Sequence, residues 1–372
     1  MKIGSLSLDH PAALAPMAGM TDTAFRRLVK GHGGCGLVVT EMVSSEGLVR
    51  GIDRTLEYAE YTEAERPVSI QIFGGKPDTM AEAARIVAGM GADVVDINMG
   101  CPVPKIASHH AGCTLMRDPA HAASIIRAMA KAVDIPVTVK MRAGWNEHEI
   151  NAPVLARMAE DAGAAAVAVH GRTAAQSYSG ESDWSLIARV AEGVRIPVFG
   201  SGDCVDPGQI VARAGHDGIR GVLVGRGALR NPWIFRQAAD ATAGRSITVV
   251  TPEMRGQFLI DYLTLLLNEG LDEADGFRHK AGDRTSEVGF AGTPEDGLRG
   301  RVIPARGRER WVINKLRALG SWYTKGLDGG SRLRVAINSA ESIEQLREII
   351  SNFFFAGPET TAIDRVPVGA DS

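Results

Sequence analysis

Four cysteines in 372 residues, at positions 35, 101, 113 and 204, are too few for a disulfide framework; free thiols are expected. No run of eighteen apolar residues is present, which excludes a transmembrane helix and a membrane partner. The first residues, "MKIGSLSLDHPAALAPM", carry Asp9, His10 and Pro11 where a secretory leader would need its apolar core, so a cytoplasmic location is expected. The formal net charge of −3 gives no global sign of a polyanionic partner. A GxGxxG fingerprint after the first strand is also missing, since that turn reads "APMAGMTD".

What is present is a globular composition, with 45% hydrophobic and 23% charged residues. Short β-forming runs recur through residues 1–245, at "AALAPM" (12–17), "GLVVTEM" (36–42), "VSIQIF" (68–73), "VVDINM" (94–99), "VTVKMR" (137–142), "AVAVHG" (166–171), "VFGSGD" (198–203) and "VLVGRG" (222–227). Amphipathic stretches such as "DTMAEAARIVAGMGAD" and "DPAHAASIIRAMAKAV" separate most of them. Near-continuous apolar strands alternating with helices describe a parallel sheet covered on both faces. A closed (β/α)8 TIM barrel fits the count better than an open doubly wound sheet, which would need the missing fingerprint.

Beyond Arg245 the pattern turns helical. "PEMRGQFLIDYLTLLLNEG" (252–270), "WVINKLRALGSWYTKGL" (311–327) and "ESIEQLREIISNFF" (341–354) read as helices, with Ser339 or Ser342 as a cap for the last. The Gly-, Arg- and Asp-rich stretch 272–310 lacks periodicity and reads as a long insertion. The expected organisation is a barrel over 1–245, a smaller helical domain over 246–357 and a flexible tail over 358–372. Basic side chains gather locally: Arg299, Arg301, Arg306, Arg308, Arg310, Lys315, Arg317, Lys325, Arg332 and Arg334 face only Glu309 and Asp328. Such an excess suits a polyanion, and equally a solvated helix face.

In barrels the chemistry gathers where strands end. The ends here are Pro16-Met17, Glu41, Gln71, Asn98 with Gly100-Cys101, Lys140 with Arg142, His170 with Arg172, Ser201-Gly202-Asp203, and Gly225-Arg226. Polar groups at nearly every rim position are hard to assign to packing. Glycine turns after strands seven and eight are the usual barrel place for a phosphate, with Arg226 adding charge. With Lys140 and His170 on the preceding strands, the layout is that expected for a phosphate-bearing cofactor such as FMN.

The stretch "DINMGCPVPKIASHHAGCTL" packs Cys101, His109, His110 and Cys113 together. Its C-x7-H-H-x2-C spacing is not a common zinc pattern, so no metal is expected. A Cys101–Cys113 disulfide is disfavoured by the expected compartment, whereas a nucleophilic thiol with His109 or His110 as base stays open from these residues alone.

Taken in order, "LAPMAGMTDTAFRRL", "VVTEMVSS", "QIFG", "DINMGCP", "VTVKMRAGW", "HGRT", "SGD" and "GRGALRNPWIF" resemble the dihydrouridine synthase family, most nearly its bacterial B-type members. The likeness is strong over about residues 1–240 and weak over the helical tail. It implies an FMN-containing barrel that reduces uridine in tRNA to 5,6-dihydrouridine with NADPH (or NADH), acting as a monomer, with a helical domain that helps hold the tRNA. Carried over to this chain, the resemblance implies that Pro16, Met17, Gln71, Lys140, His170, Ser201, Gly202, Asp203, Gly225 and Arg226 surround FMN. Asn98 would hydrogen-bond the uracil, Lys105 would lie on the substrate side, and Arg142, Arg172 and Thr173 would lie there or support the flavin. Cys101 would be the catalytic residue. Protonation of the developing enolate calls for a thiol near its ordinary pKa of about 8.5, a general acid and not a nucleophile. Cys113, Cys35 and Cys204 read as packing residues.

The chain departs from the family pattern at Ser201 (usually Asn), Pro104 (usually Lys), Ala174 (usually basic) and Ala318-Leu319 (usually basic). An FMN barrel acting on a free pyrimidine or other small molecule is the alternative reading; an RNA-binding barrel without catalysis is a second. If the basic stretch faces tRNA, neutralising Arg306, Arg308 and Arg310 together will weaken tRNA binding more at low salt than at high salt in a filter-binding titration. Unchanged binding at all salt concentrations would assign the stretch to a solvated surface.

Overall fold

The computed structural model describes residues 1–107, 110–271, 273–282 and 305–355, without the side chains of residues 105, 305 and 306. His109, Arg299, Arg301, the side chains of Lys105 and Arg306, and the tail expected from 358 lie outside the described residues. The chain divides into two compact units, Met1–Thr248 with Asn268–Val302, and Val249–Leu267 with Ile303–Ser372.

In the first unit eight parallel strands close on themselves: β1 Ala12–Leu14, β2 Leu37–Val39, β3 Val68–Phe73, β4 Val94–Met99, β5 Val137–Arg142, β6 Ala166–His170, β7 Val198–Ser201 and β8 Gly221–Val224. Each strand pairs with its sequence neighbour; β8 returns to β1 through Val222 opposite Ala12, and β2 meets β3 through Val38 opposite Val68. This is a (β/α)8 TIM barrel.

The strands are near-continuous aliphatic runs because the helices bury their outer faces. β1 stops at Leu14, before the expected Met17, since Pro16 has no N–H to extend the ladder. The expected run 36–42 is a strand only over Leu37–Val39, and the chain pairs again with β3 just beyond it, over Val43–Ser44.

The helices start where aspartates cap them. Asp22 accepts from Phe25 N at 3.0 Å, Asp118 from His121 N at 3.0 Å, Asp183 from Leu186 N at 2.9 Å and Asp206 from Gly208 N at 2.7 Å. Each cap is worth about 1 kcal/mol and fixes the point at which a strand-to-helix loop must end.

The barrel interior is closed at its N-terminal end by a short hairpin, Lys2–Ile3 with Leu6–Ser7. Ile3 and Leu8 pack there against Ala13, Ala166, Phe199 and Leu223. Above this apolar floor is a cavity of about 30 Å³ bordered by Ser69, Asp96 and Thr138, and from there towards the C-terminal mouth the lining becomes polar.

One buried ion pair ties the first helix of the barrel to the segment before β3. Arg26 Nε donates to Glu65 Oε2 at 2.5 Å, with side chains 2% and 0% exposed. Its other donors reach Thr21 O at 2.7 Å and Glu60 O at 2.9 Å. Glu65 in turn accepts from Thr62 N at 2.8 Å and Thr62 Oγ1 at 3.0 Å.

The stretch expected to be a long loop or partly disordered insertion is in part folded. Arg278–His279 pairs antiparallel with Tyr61–Thr62. The charge of Arg278 explains the fold-back, because its guanidinium meets Glu273 at 2.6 Å and Glu60 and Glu269 at 3.5 Å each. Burial raises the Glu60 carboxyl to about 7, although Lys280 and Arg278 pull against it.

The second unit packs the helices Pro252–Leu267, Ala305–Tyr323, Gly330–Ser339 and Ile343–Phe354. Residues 305–310, expected in the insertion, open the second of these, and Gly330–Ser339 is a helix that the sequence pattern did not disclose. Tyr323 donates to Arg255 O at 3.0 Å and stacks on Phe258 with ring centroids 5.4 Å apart. Ser342 caps the last helix through Gln345 N. No helix among the described residues is long and apolar enough to cross a membrane.

Because Arg26 keeps its charge when Glu65 is removed, Glu65→Ala leaves a buried guanidinium without its counter-ion. The expected loss of stability is about 3–5 kcal/mol, read as a shift of the urea midpoint. A shift under about 1 kcal/mol would mean that water reaches the guanidinium and compensates it.

Candidate active site

The C-terminal mouth of the barrel collects the rim residues, and a line of hydrogen bonds orders them. Strand register sets Gln71 opposite Asp96, Asp96 opposite Thr138 and Asn98 opposite Lys140. Thr138 Oγ1 donates to Asp96 Oδ1 at 2.6 Å, and Gln71 Nε2 donates to Asp96 Oδ2 at 2.7 Å. Asn98 Nδ2 donates to Gln71 Oε1 at 2.7 Å, while Asn98 Oδ1 accepts from Gly100 N at 3.2 Å and Cys101 N at 2.9 Å. A carboxylate only accepts, so it dictates which end of each amide faces where along the line.

Cys101 sits on the turn after β4, partly exposed, whereas Cys35, Cys113 and Cys204 are buried. The turn is closed from below by Cys113 N donating to Cys101 O at 3.1 Å. Gly112 permits this approach: its φ is +62° and a Cβ there would lie 2.7 Å from Cys101 O. Burial pushes the Cys101 thiol above its ordinary pKa, against the opposing pull of the Val103 backbone, Arg142 and Lys140. Among the described residues no group of three or more His, Cys, Asp and Glu converges to hold a metal ion.

Lys140 projects from β5 into this mouth, and its ammonium makes no hydrogen bond or ion pair among the described residues. Burial first, and then the Arg142 charge, lower its pKa to about 8, while Asp96 works in the opposite direction. His170, at the end of β6, accepts the Arg172 N–H at Nδ1 (3.2 Å), which leaves the proton on Nε2. Burial and the nearby Lys140, Arg142, Arg172 and Arg226 hold its pKa far below the ordinary histidine value, so it is a neutral donor.

The turns after β7 and β8 lie beside it. Gly202 has φ +121°, and a Cβ there would meet Ser182 Oγ at 2.3 Å, so only glycine fits. Asp203 takes the left-handed conformation at φ +53°. Its carboxylate accepts from Ser182 N at 2.8 Å, from Arg172 Nη2 at 2.8 and 2.9 Å, and meets Arg226 at 3.5 Å. Burial works to raise its pKa, but the Ser182 N–H and Arg172 outweigh it and the carboxyl stays below its ordinary value. Ser201 is buried, with its carbonyl accepting from Ser182 Oγ at 3.0 Å. Gly225 lies against the first loop, since a Cβ there would be 3.5 Å from Met17 Sδ. That loop, carrying Pro16 and Met17, is drawn to the segment just after β2 by Gly19 N donating to Glu41 at 2.6 Å.

Two of the residues expected on the substrate side are committed within the chain. Arg142, 5% exposed, donates to Gly100 O at 2.9 Å, Thr173 O at 2.9 Å and Ser177 O at 2.8 Å, bracing the turn of Cys101 against the loop after β6. Arg172, 2% exposed, donates to Ser179 O and Gly180 O as well as Asp203, and its Nη1 has no partner among the described residues. Lys105 is the second residue of the short helix Pro104–Ala107, and its side chain is outside the described residues. The structure adds residues that the sequence reading passed over. Asp96 and Thr138 each stand two residues before an expected site residue on the same strand, hence on the same inward face; period-two spacing was the available signal. Ser182 and Tyr178 belong to the loop after β6, which no motif marked, and Arg213 ends the helix Pro207–Arg213, donating to Gly202 O at 3.2 Å and Asp203 O at 3.0 Å. Tyr178 lies 5.7 Å from the Arg142 guanidinium and 5.1 Å from that of Arg226.

A parallel barrel whose polar mouth holds a thiol, an unpaired lysine, a neutral histidine and paired arginines is built as an enzyme. The family model described as "Dihydrouridine synthase (Dus)" matches residues 13–280. This chain belongs to the dihydrouridine synthase family, enzymes of the oxidoreductase class. A "Probable tRNA-dihydrouridine synthase" of Rhodobacter capsulatus is 46% identical over 248 residues, 66% of this chain and 76% of its own length. Proteins named "tRNA-dihydrouridine synthase B" match at 42% identity in Xanthomonas campestris pv. campestris (65% of this chain, 73% of theirs) and in Pseudomonas aeruginosa (64% and 71%). Among solved structures, a morphinone reductase aligns over 68% of this chain and 91% of its own at 14% identity, with a TM-score of 0.44, too remote to inform the chemistry.

Alkylation of native protein with iodoacetamide is expected to label Cys101 alone, with an inflection above the ordinary cysteine value of about 8.5 in its rate against pH. Labelling that is already complete at neutral pH would mean a thiolate rather than a thiol.

Proposed function

We propose that this chain is a tRNA-dihydrouridine synthase that reduces the C5–C6 double bond of uridine in tRNA, with FMN as cofactor and NADPH or NADH as reductant. The observation that carries the reading is the half-buried thiol of Cys101 on a turn fixed by Asn98, at the mouth that also holds Lys140; burial favours its protonated form.

The donor set fits FMN. The turns after β7 and β8 would take its phosphate, with Arg226 supplying charge and the partnerless Nη1 of Arg172 a further donor. Lys140, His170 Nε2–H and Gln71 would line the ring, with Pro16 and Met17 closing over it from the first loop. The unpaired ammonium of Lys140 would offset the negative charge that a flavin gains on reduction. When bound, FMN supplies the hydride chemistry at C6 of the uracil.

The chain's own part concerns the proton and the base. Asn98 Nδ2 has one hydrogen on Gln71 and a second that meets the Met42 sulfur at 3.8 Å, a weak acceptor that a uracil carbonyl would replace. As negative charge develops on the uracil, Cys101 Sγ–H donates its proton to C5, acting as general acid. A base stacked in folded tRNA must be turned out to reach this depth, at a cost of a few kcal/mol. The basic helical unit would hold the RNA backbone, with Arg308, Arg310 and Lys315 among the contacts. A tRNA substrate also argues for the cytoplasm as the place of work.

Cys101→Ala is expected to retain FMN and flavin-dependent NADPH oxidation by oxygen while dihydrouridine formation falls by at least 10²-fold, measured on uridine-containing tRNA. Equal rates for variant and wild type would remove the thiol from the mechanism. FMN affinity of the apoprotein is expected to weaken as pH rises through about 8, where Lys140 loses its charge, and Lys140→Met should abolish that dependence. The sign follows from the protonated form being the one that attracts the anion. A pH-independent affinity in the wild type would detach Lys140 from the cofactor.

A further inference from the structure

We propose that Asp96 is a positioning residue for the reacting thiol, its carboxylate setting the polarity of the hydrogen-bond line that holds the turn of Cys101. This rests on the reading of Cys101 as the proton donor and goes one layer beneath it.

Asp96 touches neither the mouth nor the thiol. It is 6% exposed, with apolar floor and the 30 Å³ cavity below it and Gln71 and Thr138 beside it. Both of its oxygens accept, from Thr138 Oγ1 and Gln71 Nε2. Gln71 is 1% exposed, so its amide cannot turn over and be rescued by solvent. With its NH2 held by Asp96, its carbonyl must face Asn98, which therefore presents Nδ2 to Gln71 and Oδ1 to the Gly100 and Cys101 N–H groups. Reversing any member sets donor against donor or acceptor against acceptor, and a buried polar group left unsatisfied costs about 1–3 kcal/mol. The only member that can reverse freely is Thr138, because a hydroxyl both donates and accepts.

That asymmetry yields a test. Asp96→Leu removes the origin of the polarity, so the Cys101 turn loosens. Gln71→Glu sets a second carboxylate against the first and breaks the line. In Asp96→Asn/Gln71→Glu the charge has changed places. The amide introduced at position 96 donates to the carboxylate introduced at position 71. That carboxylate still accepts from Asn98, and the Cys101 turn sees its original partner.

The readout is the rate of Cys101 alkylation by iodoacetamide in the full-length protein, with peptide mapping, alongside kcat and KM for dihydrouridine formation. Expected are a rise in alkylation of at least fivefold in Asp96→Leu and in Gln71→Glu, and a return to within twofold of wild type in the double variant. Where activity is measured, the loss in Asp96→Leu falls on kcat by at least tenfold, with KM for tRNA little changed. The proposal is overturned if Asp96→Leu leaves alkylation within twofold of wild type, or if the double variant is no better than Gln71→Glu alone. The second comparison stands even if Asp96→Leu does not fold. Alkylation needs neither tRNA nor reductant, so a wild-type protein that makes no dihydrouridine would sink the functional reading and leave this series able to decide on Asp96.

Discussion

A lysine ammonium and an aspartate carboxylate share the inside of a closed barrel, and much of the site follows from how each is compensated. Burial disfavours both charges. Asp96 is satisfied by hydrogen bonds from Thr138 and Gln71, which commits those groups to one orientation. Lys140 has the Asp96 charge nearby but no direct partner among the described residues, so its ammonium stays available to whatever enters the mouth. Compensation below and availability above are two aspects of a single arrangement. His170 completes it by remaining neutral among cations, donating a hydrogen bond without adding to the crowding of positive charge.

A second scale of organisation lies in the loops. Arg142 and Arg172, expected at the substrate side or in support of the flavin, each end on carbonyls of the loop after β6, and Arg172 on Asp203. Guanidinium groups suit this duty because their fixed fork of donors can hold several backbone acceptors at once. The mouth is therefore shaped by buried cations whose charge is felt there although few of their donors are free. The Nη1 of Arg172, which has no partner among the described residues, is one exception.

Much of this was legible in the amino-acid sequence. Eight aliphatic runs with polar ends gave the barrel and the rim, and β3, β4 and β5 fall on the expected residues because both of their faces are buried and nothing interrupts them. β1 and β2 are shorter than expected, since a run of apolar letters does not reveal where Pro16 or a change of partner strand ends the ladder. The pairing of Arg278–His279 with Tyr61–Thr62 could not be read locally, because it depends on carboxylates more than two hundred residues away as well as close by. Asp96 was in plain view but silent. A carboxylate that works through an amide, then another amide, then a backbone N–H leaves no spacing motif to find.

The direction of the Asp96 line has a consequence for how such a sequence can change over time. Aspartate, glutamine and asparagine at positions 96, 71 and 98 are chemically similar letters, and a substitution table would rate exchanges among them as mild. Inside the barrel positions 71 and 98 are not interchangeable one at a time, because an exchange there reverses a dipole that its neighbour has already answered. The three positions are coupled, and a carboxylate at 71 needs an amide at 96 to preserve the sense of the line. Thr138 alone, with a hydroxyl that turns either way, is the point where a neutral first step can enter.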